Sequence, residues 1–115
     1  MDTIKIDSVA DKIFTKIDEL KNVNSYVIFG LSNCPYCKNA LKYVDENKLK
    51  YKYYNVDKYY KIFIPILEKL IKNHPELNIN PSHKTFPVIF NKGLFIGGYT
   101  DLIKFGNENE ENQYQ

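Results

Sequence analysis

The chain has 115 residues, of which 43% are hydrophobic, so it is long enough for one domain with one sizeable core. Its 16 basic and 14 acidic residues leave a formal net charge of only +2, which argues against nucleic-acid binding. It lacks a run of about 18 apolar residues, which argues against a membrane span. The first residues lack the basic-then-apolar pattern of a secretory signal, so we expect a cytoplasmic protein.

Hydrophobic periodicity predicts an initial helix, followed by strands and helices in alternation. Asp7 or Ser8 could cap the first helix, and Pro65 requires the third helix to start near this proline or to bend there. The predicted elements are a helix at 7–21, a strand at 25–30, a helix at 35–47, a strand at 51–56, a helix at 62–72, strands at 86–91 and 94–96, and a helix at 99–105. Residues 1–106 are expected to form the domain, and the acidic, amide-rich segment 107–115 is expected to be disordered.

The order of these elements predicts an α/β fold with a four-stranded mixed sheet. The first two strands enclose a helix, which requires a parallel, right-handed crossover. Residues 91–93, Asn-Lys-Gly, favour a tight turn, so the last two strands should form an antiparallel hairpin. Helices should then cover both faces of the sheet, with an extra helix at the amino terminus.

Cys34 and Cys37 are the only two cysteines, and they lie at the predicted junction between the first strand and the second helix. If Cys34 is the N-cap and Pro35 the first helical residue, Cys37 is the third. Backbone N–H groups and the helix terminus can then stabilise a thiolate, and thiols in such settings have pKa values of about 3.5–7.5. This arrangement makes Cys34 the candidate attacking thiol and Cys37 the resolving thiol.

Two other interpretations of the cysteine pair remain open at this point. The pair could be half of a zinc site, or both cysteines could be inert and structural. Zinc usually needs four ligands, and His74 and His83 are the only histidines available. Their separation differs from the usual spacing of histidine ligands, and both are expected to be loop residues.

Three further motifs accompany Cys-Pro-Tyr-Cys in order along the chain. They are Thr85-Phe86-Pro87 before a strand, Gly97-Gly98 after the hairpin, and Tyr99-Thr100-Asp101 at the start of the last helix. Together these motifs resemble the dithiol glutaredoxins, which have a thioredoxin-like fold. The resemblance extends from about residue 25 to residue 105, and the amino-terminal helix is similar to that of longer members.

The resemblance implies that Pro87 is a cis proline facing the cysteines. If the chain had no such cysteines, we would expect a trans proline that starts an edge strand. In the family, the backbone groups of the residue before this proline, here Phe86, pair with the cysteinyl part of glutathione like a short added strand. Thr85 belongs to the same glutathione-binding segment. Tyr36 would flank the substrate, although it could simply occupy surface space.

The glycine pair and the start of the last helix are implied to bind the other end of glutathione. Gly98 would let the ligand approach the backbone closely, although Gly97-Gly98 could be an ordinary turn. Thr100 and Asp101 would hold the γ-glutamyl end, with Asp101 facing its ammonium group. Both residues could instead cap the helix, and the two roles are compatible.

Leu31 departs from the family pattern, because relatives usually carry Lys or Arg three positions before the first cysteine. That basic residue is thought to meet the glycyl carboxylate of glutathione. Lys38 or Lys84 could take its place. We therefore predict weaker glutathione binding than is usual in the family, without loss of thiol chemistry.

The resemblance implies a glutathione-dependent thiol–disulfide oxidoreductase that reduces protein disulfides and glutathione mixed disulfides. Glutathione would be the co-substrate and no metal is expected, since Pro35 disfavours the iron–sulfur clusters that relatives with other active-site sequences bind. Partners would be disulfide-containing or glutathionylated proteins, with ribonucleotide reductase as a candidate, and the chain is expected to be a monomer. The alternatives are a thioredoxin-like reductase that does not use glutathione, disfavoured by the lack of tryptophan, and a non-catalytic adaptor.

Overall fold

The computed structural model describes the backbone of residues 2–113 and the side chains of residues 5–109. Within this range the α-helices are α1 (Asp2–Asp18), α2 (Pro35–Glu46), α3 (Phe63–Asn73) and α4 (Tyr99–Gln113). The strands are β1 (Tyr26–Gly30), β2 (Tyr51–Asn55), β3 (Val88–Asn91) and β4 (Leu94–Gly97). Short 3-10 helices, Asp57–Ile62 and Pro75–Leu77, precede and follow α3.

The four strands form one sheet in the order β2-β1-β3-β4. β1 and β2 are parallel, as the enclosed helix requires, whereas β3 is antiparallel to both β1 and β4. The predicted four-stranded mixed sheet is therefore confirmed. Every residue of β1 and β3 is buried, because these two strands lie in the middle of the sheet and are covered on both faces.

Alternating side chains of β1 pack into two separate cores, since successive side chains of a strand point to opposite faces. Val27 and Phe29 pack with apolar residues of α1 and α3 on one face. Tyr26 and Ile28 pack with residues of α2 and α4 on the other face. The amino-terminal helix is therefore part of the main core and lies against α3.

The largest differences from the predicted bounds lie at the start of α1 and the end of α4. α1 begins at Asp2, so Asp7 and Ser8 lie inside the helix and do not cap it, and the Asp7 carboxylate is instead 3.0 Å from Lys69 Nζ on α3. α4 continues from Tyr99 to Gln113, beyond the predicted helix end at residue 105, whereas the disorder expected for 107–115 stays a prediction and residues 114–115 lie outside the described range. Once a helix is nucleated, each added residue needs little free energy, and glutamate and glutamine are good helix formers. Pro65 lies in the first turn of α3, where its missing N–H costs no hydrogen bond.

The strand pairing brings distant loops to one edge of the sheet. Phe29 near the end of β1 lies opposite Val88 at the start of β3, so the cysteine loop is beside Pro87. Gly97 at the end of β4 pairs with Ile89, which adds the start of α4 to the same edge. Within residues 2–113, no helix has the length and apolar character needed to cross a membrane.

Candidate active site

Cys34 and Cys37 occupy the start of α2 in the predicted positions. Cys34 is the N-cap, with extended backbone angles (φ −134°, ψ 103°), and Pro35 is the first helical residue. The backbone N–H of Cys37 donates to Cys34 Sγ at 3.1 Å. The two sulfurs form a disulfide, with the Cα atoms 5.1 Å apart, so the structure corresponds to the oxidised pair. After reduction the same N–H and the helix terminus would stabilise a thiolate on Cys34.

Burial distinguishes the two sulfurs. Cys34 retains 8% of its accessible surface, whereas Cys37 is fully buried at 0%. A disulfide substrate can therefore reach Cys34 from solvent, while Cys37 can reach only a sulfur already attached to Cys34. The difference supports the predicted division between an attacking and a resolving thiol.

The segment before β3 lies directly against the first cysteine. The Phe86–Pro87 peptide bond is cis, as the resemblance implied, and Pro87 is buried. The carbonyl oxygen of Phe86 is 3.8 Å from Cys34 Sγ. Within residues 2–113, neither the N–H nor the carbonyl of Phe86 is hydrogen-bonded to another backbone group. These groups can therefore pair with an extended ligand beside the sulfur.

A groove of about 390 Å³, which we call the Tyr36 groove, lies on one side of this segment. Six of the seven residues predicted to contact glutathione line it: Tyr36, Thr85, Phe86, Gly98, Thr100 and Asp101. The seventh, Pro87, is buried behind the groove wall. Tyr36 is 59% exposed, and its ring lies 6.2 Å from that of Tyr99, which also lines the groove.

Asp101 has a structural role at the start of α4. Its Oδ2 accepts a hydrogen bond from the backbone N–H of Gly98 at 3.0 Å, which caps the helix. Gly97 has a φ of +133°, and a Cβ at this position would overlap the Asp101 carboxylate. A Cβ at Gly98 would instead make ordinary contacts, 3.4 Å from His83 Cε1 and 3.6 Å from the Pro87 carbonyl oxygen.

His83 also lines the Tyr36 groove, whereas the sequence predicts only a loop residue at this position. Its Nε2 is 3.3 Å from the carbonyl oxygen of Pro87, and because a carbonyl can only accept, this contact requires the proton on Nε2. The ring also packs edge-on against Phe95. His83 thereby supports the wall of the Tyr36 groove, and its position two residues before Thr85 was the available signal.

A second groove, of about 540 Å³, is lined in part by Cys34 and Pro35, and we call it the Leu31 groove. It runs from the loop after β1 to α3, and Thr85 and Phe86 line both grooves. Lys61 and Lys84 are exposed and line the Leu31 groove, whereas Lys38 lines neither groove. Of the two lysines predicted to replace the missing basic residue, only Lys84 lines the same groove as Leu31. Lys61 lines this groove as well, although the sequence does not indicate it.

A hydrogen-bonded cluster holds the loop that precedes Cys34. The Asp57 carboxylate accepts hydrogen bonds from the backbone N–H of Ser32 at 2.9 Å and from its hydroxyl group. The Asn55 amide also donates to Ser32 Oγ at 2.8 Å. The hydrogen bonds from Ser32 hold the pKa of Asp57 below its usual value. The sequence signal for this cluster was the parallel pairing of β1 and β2, which places the residues after both strands side by side.

The two histidines do not extend the cysteine pair into a metal site. His74 is the C-cap residue after α3 and stacks on Phe14 of α1, with the ring centroids 3.6 Å apart. No cluster of three or more His, Cys, Asp or Glu side chains suited to a metal ion occurs among the residues that the structure describes.

The sheet edge, the helix-capping Cys34 and the buried Cys37 define the class of protein. A disulfide-forming pair at a helix N-terminus, with one reachable sulfur beside the Phe86 backbone, which no other backbone group within residues 2–113 pairs, is the site of a thiol–disulfide oxidoreductase.

Comparison with known proteins identifies the family within this class. The glutaredoxin family model matches residues 13–96. A probable glutaredoxin of Acanthamoeba polyphaga mimivirus is 37% identical over 81 residues, which are 70% of this chain and 76% of the viral protein. The solution structure of a dithiolic glutaredoxin from Trypanosoma brucei brucei superposes with a TM-score of 0.61 at 27% identity, covering 88% of this chain and 92% of that one.

A buckwheat glutaredoxin solved in complex with glutathione has the same fold, with a TM-score of 0.59 at 22% identity over 87% of this chain and 84% of that one. The chain therefore belongs to the glutaredoxin family and has its thioredoxin-like fold.

Proposed function

We propose that this protein is a glutathione-dependent reductase of protein disulfides and of glutathione mixed disulfides. The observation that carries the proposal is the Tyr36 groove, which starts at the backbone of Phe86 beside Cys34 and ends at Asp101. A reactive sulfur next to an extended-ligand site with a carboxylate at its far end fits a γ-glutamyl tripeptide with a central thiol. The buckwheat glutaredoxin that binds glutathione supports the same choice of ligand.

In the first reaction, the Cys34 thiolate attacks the glutathionyl sulfur of a protein–glutathione mixed disulfide. The substrate S–S bond breaks, a Cys34–glutathione disulfide forms, and the protein thiolate leaves and takes up a proton. A second glutathione thiolate then attacks the bound glutathionyl sulfur. Glutathione disulfide leaves, and the Cys34 thiolate is regenerated.

In the second reaction, the Cys34 thiolate attacks a protein disulfide and forms a mixed disulfide with the protein. The Cys37 thiolate attacks Cys34 Sγ, which releases the second protein thiol and closes the Cys34–Cys37 disulfide. Two glutathione molecules then reduce this disulfide and leave as glutathione disulfide. The oxidised pair of the structure corresponds to the intermediate before that last step.

Glutathione would bind as a short added strand along Phe86, with its cysteinyl backbone paired to the Phe86 N–H and carbonyl. Its γ-glutamyl end would lie at Thr100 and Asp101, and its glycyl carboxylate would extend toward Leu31 on the other side. Leu31 offers that carboxylate no charge, and the neighbouring Lys84 is exposed. A charge-assisted contact is worth about 1.5–3 kcal/mol when buried and less when exposed. We therefore expect an affinity up to about tenfold below that of relatives with the basic residue.

The test compares Cys34→Ser and Cys37→Ser in two assays. The first follows reduction of a small glutathione mixed disulfide coupled to glutathione reductase, and the second follows reduction of a protein disulfide. Cys34→Ser should lose both activities, whereas Cys37→Ser should keep the first and lose the second. Equal loss of both activities in both variants would contradict the division of roles.

The same assays separate the alternative functions. Activity that depends on thioredoxin reductase and not on glutathione would identify a thioredoxin-like reductase, and inactivity with both reductants would identify an adaptor. The proposal further includes a monomeric protein working in the reducing cytoplasm, with ribonucleotide reductase as one candidate protein substrate.

A further inference from the structure

The Leu31 groove is larger and more apolar than the glycyl end of glutathione needs. Its apolar floor and wall are formed by Leu31, Phe63, Ile64, Leu67 and Phe86. Tyr60 borders the groove with 61% of its surface exposed, and its ring lies 6.4 Å from that of Phe86. Because glycine has no side chain, bound glutathione would leave this apolar surface uncovered.

The charges of the Leu31 groove all have one sign. Lys61 lies at the end of the 3-10 helix before α3, and Lys84 lies just before Thr85. Both lysines are exposed, and the described side chains that line the groove, within residues 5–109, include no carboxylate. The groove therefore complements an occupant that is apolar at its centre and anionic at its edge.

Thr85 and Phe86 line both grooves, so a chain that binds along Phe86 can extend into each of them. In the proposed function the γ-glutamyl end of glutathione occupies the Tyr36 groove and its cysteinyl backbone pairs with Phe86. A polypeptide that pairs with Phe86 in the same direction would place the residues after its cysteine in the Leu31 groove. In such strand addition, main-chain bonds provide affinity and side-chain pockets provide specificity.

We propose that the Leu31 groove binds the segment of a protein substrate that follows its reactive cysteine. The groove selects a segment with a large apolar side chain and an adjacent carboxylate, which lies against Lys61 and Lys84. Leu31, in the place of the family's basic residue, thus weakens the binding of glutathione and provides an apolar contact for a polypeptide. The direction of the segment depends on the proposed function, whereas the groove itself does not.

The test measures the rate at which reduced Cys37→Ser forms a mixed disulfide with short peptides. Each peptide is supplied as its symmetric disulfide dimer, so attack on either sulfur gives the same product. The three sequences are Gly-Cys-Leu-Glu, Gly-Cys-Leu-Lys and Gly-Cys-Gly-Gly, with blocked termini, and glutathione disulfide is the reference substrate. Low ionic strength preserves the contribution of exposed charges.

We expect Gly-Cys-Leu-Glu to react about tenfold faster than Gly-Cys-Gly-Gly, which corresponds to burying most of one leucine side chain. Gly-Cys-Leu-Lys should lie between them. Adding Tyr60→Ala should reduce the preference for leucine about threefold. Lys61→Ser should reduce the preference for glutamate over lysine about threefold. Lys58→Ser is the matched control, since Lys58 is exposed on the same 3-10 helix but does not line the groove.

Equal rates for the three peptides overturn this proposal, and so do preferences that persist in Tyr60→Ala and Lys61→Ser. Either result leaves the glutathione function intact if glutathione disulfide still reacts. If the peptides show the expected order while glutathione disulfide does not react, the groove is supported and the proposed function fails.

Discussion

Asp101 combines a structural role and a proposed binding role, and two substitutions can separate them. Its Oδ2 accepts the hydrogen bond from Gly98 N–H at 3.0 Å, and its charge lies in the first turn of α4. Loss of such a cap costs about 1 kcal/mol, and loss of an acidic charge in the first helical turn costs about 0.3–1 kcal/mol. Asp101→Ala loses both contributions, about 1–2 kcal/mol, which for a domain of this size lowers Tm by about 4–8 °C. Asp101→Asn keeps an acceptor oxygen and loses only the charge, so Tm should fall by about 1–4 °C.

Glutathione binding should depend on Asp101 differently from stability. If the carboxylate faces the γ-glutamyl ammonium group, both substitutions remove the same exposed ion pair. Such a pair is worth about 0.2–1 kcal/mol, so KM for glutathione should rise about 1.4-fold to fivefold in both variants.

The measurements are thermal unfolding and steady-state kinetics of the two variants. Glu108→Gln, an exposed change of the same charge on α4 outside the Tyr36 groove, is the control for net charge. The expected order of Tm is wild type, then Asn, then Ala, while Asn and Ala share one KM. An Asp101→Asn variant with the KM of the wild type would refute the ammonium contact, and an unchanged Tm in Asp101→Ala would refute the cap.

Three further predictions concern the same sheet edge. Gly97→Ala should destabilise the fold by about 1 kcal/mol or more in denaturant titrations, since φ is +133° and the Asp101 carboxylate occupies the Cβ position. Gly98→Ala should keep the stability of the wild type and raise KM for glutathione. Equal stability of the two variants would contradict this prediction. Lys84→Ser should raise KM for glutathione by up to about fivefold, and Lys38→Ser should not, because of these two lysines only Lys84 lines the Leu31 groove. A larger KM for Lys38→Ser than for Lys84→Ser would place the glycyl carboxylate elsewhere. Because the pKa of Asp57 is lowered in the folded state, its carboxylate stabilises the fold at pH values above the ordinary pKa of 3.8, and this contribution is lost as pH falls through the lower folded-state pKa. In acid unfolding, Asp57→Asn should therefore be less stable than wild type above this pH range and equally stable below it. A constant difference at all pH values would show that the carboxylate is not the source of the effect.

Local patterns in the sequence were enough to locate the cysteine chemistry. The apolar run of β1, the N-cap position of Cys34 and Pro35 in the first turn depend on neighbours along the chain, so they could be predicted without tertiary structure. The parallel pairing of β1 and β2 followed from the enclosed helix. Local patterns misplaced the start of α1, where Asp7 lies within the helix and pairs with Lys69 of α3, and the end of α4, where the polar segment extends a helix that has already formed.

Tertiary structure alone decided which residues surround Cys34. Lys61 and Lys84 line the Leu31 groove while Lys38 does not, although Lys38 is closest to the cysteines in sequence. Asp57 reaches Ser32 across 25 positions of the chain because the ends of two parallel strands meet. Such contacts depend on strand register and on how helices pack against the sheet. No residue carries this information by itself, since it arises from the packing of all the elements together.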